Sequence, residues 1–136
     1  MVLWLLALAV IGALAWIRLA PSDPARWNVD PMVAANQDLV NGVRRLVPDT
    51  GQTLAQLNAI ALATPRTEVV GGSVEAGLIT YVTRSLWFGF PDYTTLKADG
   101  GQIEVWGRQR FGRQDAGVNR ARVDGWLAQL PDASGG

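Results

Sequence analysis

The chain contains no cysteine and no histidine, and its twelve basic residues include a single lysine, Lys97. Without cysteine there is no disulfide, no thiolate nucleophile and no thiol for lipid attachment, and the redox compartment stays open. Without histidine there is no imidazole for a triad, a proton relay or a zinc site. Charge is also scarce. Charged residues make up 18% of the chain, below the roughly 25% usual for soluble domains. The formal net charge is zero, so no global field draws in nucleic acid, and none is expected as a partner. Acid–base chemistry would fall to carboxylates alone. Only Asp92 and Asp115 suggest a pair, and nothing fixes their separation. No catalytic residue, metal site or cofactor is expected, and the chain is read as a non-enzyme.

What is abundant is apolar. Val2 to Ile17 is an unbroken hydrophobic run, followed by Arg18, Leu19, Ala20 and Pro21. A spanning helix needs about 20 residues, with about 17 as the lower limit. The run meets that if Arg18 extends to the headgroups. Trp4 and Trp16 stand near its two ends, where indole rings favour the membrane interface. Residues 2–20 are therefore expected to anchor the chain in a lipid bilayer as a single pass. A cleaved signal peptide competes, because Ala13-Leu14-Ala15 resembles a small-x-small site, but no basic residue precedes the run. A buried core helix would show a polar face, and none exists. Arg18 and Arg26 follow the helix, which by the positive-inside rule leans toward a cytoplasmic domain.

Four regions follow: an anchor over 1–20, a proline-rich tether over 21–51, a globular domain over 52–131 and a disordered tail over 132–136. The tether holds Pro21, Pro24, Pro31 and Pro48, with weak periodicity. Its one large apolar residue, Trp27, either packs on the domain or meets the membrane. Leu39, Val43 and Leu46 suggest a short helix over Asp38 to Val47. In the globular part, Thr53-Leu54-Ala55-Gln56 fits a capping box, Leu54, Leu57, Ile60 and Ala61 form an inward stripe, and Thr64-Pro65 ends the helix. Runs Thr67 to Ser73 and Leu78 to Arg84 flank a hairpin turn. Runs Tyr93 to Ala98 and Gln102 to Arg110 flank Asp99-Gly100-Gly101, a tight hairpin signal. Ile103 and Val105 face one side of the last strand; Glu104, Trp106, Arg108 and Arg110 face the other. Asp115 caps a closing helix carrying Val123, Trp126, Leu127 and Leu130. The expected fold is α+β, with a four-stranded antiparallel sheet and helices packed on one face.

Two segments carry a family resemblance. Trp87 to Tyr93 reads WFGFPDY, and Arg108 to Arg120 reads R-x-R-F-G-x-x-D-x-G-V-N-R. Together they resemble the family called domain of unknown function 1499, over about Thr53 to Leu130. Members often carry an N-terminal hydrophobic segment. The resemblance implies a bacterial envelope or organellar location, hence a periplasmic domain, and no established activity.

The signature region is rich in guanidinium. From Arg84 to Arg122 there are seven basic and four acidic residues, an excess of three. One reading is an arginine–carboxylate network in which Asp92, Asp115 and Arg84 fix an irregular loop. The other is an anion or lipid-headgroup site built from Arg108, Arg110, Arg113, Arg120 and Asn119 near a helix N-terminus. The eleven arginines reflect either a GC-rich genome or a need for planar donors. Trp87, Phe88 and Phe90 are either core or an exposed patch for a protein or membrane partner. The expected function is thus a membrane-anchored, non-catalytic accessory or scaffold domain in the envelope; the alternative is an anion-binding module.

Overall fold

Alternating apolar side chains shape six segments of this chain into strands. The computed structural model describes residues 1–131; the expected disordered tail, 132–136, lies outside them. Helix α1 runs Val2–Leu19 and a single turn, α2, spans Pro24–Trp27. Strands β1 (Gln37–Leu39) and β2 (Gly42–Pro48) precede α3 (Thr53–Ala63). Strands β3 (Thr67–Ser73), β4 (Leu78–Arg84), β5 (Pro91–Asp99) and β6 (Gln102–Gln109) follow, and α4 (Val118–Ala128) closes the fold.

The strands form one antiparallel sheet in the order β1-β2-β6-β5-β4-β3. The α+β class and antiparallel sheet agree with the expectation, but the sheet has six strands, not four. The added pair comes from the stretch expected to be tether, and the helix expected over Asp38 to Val47 is instead a hairpin. Strand β2 pairs along its whole length with β6, from Gly42 opposite Arg108 to Pro48 opposite Gln102. Arg44 and Arg45 sit half-buried in the strand, Arg44 over the Trp106 ring and Arg45 paired with Asp38 and Asp124. Gly100 and Gly101 take the positive φ values that a two-residue hairpin turn requires, with Asp99 opposite Gln102.

One face of the sheet holds the apolar core. Val43, Ile79, Tyr81, Leu96, Ile103 and Val105 are buried with Leu54, Leu57 and Ala61 of α3 and Val123 and Trp126 of α4. Gly107 allows this packing: a Cβ there would lie 3.1 Å from Val123 Cγ2 and 3.3 Å from Asn119 Oδ1. The expected capping box at Thr53 does not form. Thr53 Oγ1 accepts from Thr50 N–H at 3.0 Å and belongs to the preceding turn.

The other face is covered by residues 20–33, which lie along it as a strap. Arg110 donates to the Pro21 carbonyl at 2.9 Å, and the Ser22 and Tyr93 hydroxyls bond at 2.7 Å. Trp27 stacks on Tyr93 with ring centroids 3.9 Å apart. Thr80 donates to the Asn28 side chain, Lys97 pairs with Asp30 at 2.8 Å, and Val33 N–H donates to Glu104. Pro24 rests against Gly71, where a Cβ would come within 2.9 Å of the ring.

Candidate functional site

The sheet's second face is built from alternating planar groups. Arg44 lies over Trp106 at 5.2 Å, and Arg108 lies over the opposite neighbours Trp106 and Trp27 at 4.0 and 5.6 Å. Arg110 also approaches Trp27, at 5.7 Å. A flat, weakly hydrated guanidinium stacks between rings where an ammonium would not, which is a physical reason for arginine here. Arg108 is only 5% exposed. It donates to Thr95 Oγ1 and to the Trp27 carbonyl, each at 2.7 Å, and to the Trp106 carbonyl at 3.2 Å. All three acceptors are neutral. Burial pulls the guanidinium down to about 10, and it stays charged at neutral pH.

At one end of the sheet, the ends of β4 to β6 and the start of α4 line an open cleft of about 600 Å³. Asp92, Asp115 and Arg122 line its polar side, and Asn119 lies behind them. Asp115 accepts from the Gly117 and Asn119 backbone N–H groups and from Asn119 Nδ2. It thus holds the first turn of α4, as expected from the sequence, although the helix begins at Val118. Asn119 Oδ1 accepts from Arg122 at 2.9 Å, and Arg122 pairs with Asp92 at 3.3 Å. Burial raises the Asp92 carboxyl above its usual range, Arg122 draws it partway back, and the Asp115 charge adds a further upward push. Phe90, Phe111, Pro65 and Val118 give the cleft apolar walls, while Arg66, Arg84 and Gln109 add donors. Gln109 Nε2 is buried without a hydrogen-bond partner. Arg66 uses only its Nε, on the Arg84 carbonyl. Among the described residues, no group of three or more acidic side chains forms a metal cage.

The expected anion residues do not converge. Arg108 and Arg110 fasten the strap, whereas Asn119 lies beneath α4 in the acid–guanidinium network. Arg120 is exposed on α4 and sits 3.5 Å from Asp38; Arg113 is exposed on the loop before it. Asp92 and Asp115 do share a site, as the network reading anticipated, but the arginine between them is Arg122, which the sequence reading did not single out. Arg66 and Gln109 were also missed, since neither stands in a distinctive pattern. Arg84 instead reaches the end of α1, donating to the Ile17 carbonyl at 3.3 Å and the Gly89 carbonyl at 3.1 Å. Trp87, Phe88 and Phe90 are not core: Trp87 is 80% exposed, and Phe88 and Phe90 are exposed as well.

Helix α1 is the one helix among the described residues long and apolar enough to cross a membrane, and a signal sequence has the same character. None of its residues is buried.

A family model described as "Protein of unknown function (DUF1499)" matches residues 18–130. The match covers most of the chain, and the chain belongs to that family. It reaches past the globular part to include the strap and the β1–β2 hairpin. No curated protein and no solved structure matches the chain.

Proposed function

We propose that this member of the DUF1499 family is a membrane-anchored accessory domain that works by binding, without catalysis, and that its ligand is a small amphipathic anion held in the cleft beside Arg122. The observation that carries the reading is a pair of uncommitted donors above an aromatic wall. Gln109 Nε2 is buried and unpartnered, and Arg66 keeps its terminal nitrogens free of hydrogen bonds among the described residues. Buried donors without acceptors are uncommon, and a ligand oxygen would satisfy one. Around the cleft, Arg66, Arg84 and Arg122 stand against Asp92 and Asp115, an excess of one positive charge. Phe90 and Phe111 suit an apolar portion.

The non-catalytic reading is supported by how the carboxylates are used. Asp115 is committed to three N–H donors and Asp92 to Arg122. Neither is a free general base. The anchor reading is supported by the attachment of α1: Ala20 is buried, and Arg18 and Ile17 bond directly to the domain. The proposal puts the globular part on the periplasmic side of a bacterial envelope, which the family resemblance implies; protease digestion of intact spheroplasts tests that side.

Titration with dodecyl phosphate, read by calorimetry against neutral dodecyl maltoside, tests the cleft. Binding that prefers the phosphate and weakens about tenfold or more in Arg66→Ala and Gln109→Leu is the expected result, one charge-assisted hydrogen bond being worth about 1.5–3 kcal/mol. Binding unchanged by either substitution would contradict the assignment.

A further inference from the structure

We infer that the loop from Ser85 to Phe90 is a second membrane contact, with Leu86, Trp87 and Phe88 seated in the headgroup region of the leaflet from which α1 emerges. The inference rests on the reading that α1 spans the bilayer, and it adds where the domain sits against that bilayer.

The depth of the loop follows from the depth of Arg18. A helix of 18 residues is about 27 Å long, slightly less than the roughly 30 Å of a hydrocarbon core. Both ends of α1 therefore fall at the boundaries, and Arg18 in its last turn places its guanidinium among the headgroups. That guanidinium donates to the Trp87 carbonyl at 2.9 Å. Arg84 bonds the carbonyls of Ile17 and Gly89, and a Cβ on Gly89 would lie 3.0 Å from Arg18 Nε. The end of the helix and the loop are thus one joined unit, with no slack chain between them.

The loop's own shape points its apolar groups outward. Ser85 N–H bonds the Phe90 carbonyl, Gly89 N–H bonds the Ser85 carbonyl, and Phe90 N–H bonds Ser85 Oγ. So closed, it leaves Leu86, Trp87 and Phe88 each more than half exposed. Trp16, on the same end of α1, is exposed too. Two indoles and a guanidinium at one level are the composition of a membrane interface. The loop contributes Ser85 and Phe90 to the binding cleft, so the cleft borders the leaflet and its ligand is reached from the lipid.

The lack of native cysteine makes single-site labelling direct. Leu86→Cys, Ile11→Cys and Ala76→Cys variants of the full chain carry an environment-sensitive nitrobenzoxadiazole dye in vesicles of equal phosphatidylcholine and phosphatidylglycerol. Ala76 lies in the turn at the far end of β4, roughly 20 Å along the strand. The Leu86 label is expected to be blue-shifted and to lose most of its emission to nitroxide-bearing lipids; the Ala76 label is expected to respond only to aqueous iodide. A Leu86 label that behaves like the Ala76 label, while the Ile11 label is quenched from the lipid, overturns the loop contact and leaves the anchor standing. An Ile11 label quenched by iodide overturns the anchor, and the inference with it. A second label at Phe88→Cys must agree with Leu86, or the loop assignment fails.

Discussion

Replacing Arg108 by lysine isolates what a planar, forked cation contributes to this fold. Both side chains carry one positive charge, but the ammonium is the more strongly hydrated and costs more to bury. The fork and the stack differ as well. In the native chain, two terminal nitrogens reach two acceptors, Thr95 Oγ1 and the Trp27 carbonyl, each at 2.7 Å. The plane between them lies 4.0 Å from the Trp106 ring. A single ammonium on a shorter stem loses one of those bonds, at about 1.5–3 kcal/mol for a hydrogen bond to a charged group. It also loses part of a desolvated cation–π contact worth about 2 kcal/mol. Together the expected loss is about 2–4 kcal/mol, which for a domain of this size lowers the Tm by roughly 8–16 °C. Near-ultraviolet circular dichroism of the full chain in detergent follows the melting through the packed aromatic side chains, Trp27 and Trp106 among them. Arg108→Met should be no less stable than the lysine variant, because it leaves no half-satisfied charge and the Trp27 carbonyl keeps the Thr95 hydroxyl. A lysine variant melting within about 2 °C of the native chain would refute the idea that the guanidinium clamps the strap.

Gly107→Ala forces a methyl against Val123 and Asn119, and a loss of about 1–3 kcal/mol in urea unfolding is expected. For Asp92 the sign runs as it does for any acid whose folded pKa is raised: the protonated form is favoured in the fold, so the associated stability is full below the unfolded value near 3.8 and is lost as pH rises through the folded pKa. Asp92→Asn should therefore lack that decline, and the Tm difference between native chain and variant should shift in the variant's favour from pH 4 toward neutrality; parallel curves would contradict it. Trp27→Ala removes the stack on Tyr93 and should cost about 3–5 kcal/mol, opening residues 20–33 to limited proteolysis before the rest of the domain.

The β3–β4 and β5–β6 hairpins were legible because their signals are local. The pair Gly100-Gly101 between alternating runs admits few conformations other than a tight turn, and the edges of β3 and β4 follow from their turn residues. Asp115 could be read for the same reason, since its acceptors serve a helix start a few residues on. The β1–β2 hairpin was not legible. Its strand Gly42–Pro48 is held by pairing with β6, sixty residues later in the chain, and its Leu39, Val43 and Leu46 fit a helical stripe equally well. The strap was hidden by its prolines. Pro21, Pro24 and Pro31 suggested slack chain, yet a segment with few backbone donors suits a layer whose bonds go to side chains. The face shared by Glu104 and Arg108 was legible from strand alternation, but nothing local announced the cover above it. At the cleft, the excess of arginine was visible but its direction was not: strand parity put Arg108 and Arg110 on the strap side, and the cation beside Asp92 proved to be Arg122, one turn into α4.

The most direct measurement is made on the native chain in membranes of the source cell, washed at alkaline pH and then sequenced from its N-terminus. The account predicts that the protein stays in the pellet with residues 2–19 attached. Recovery of the globular part in the supernatant, beginning after Ala15, would contradict it.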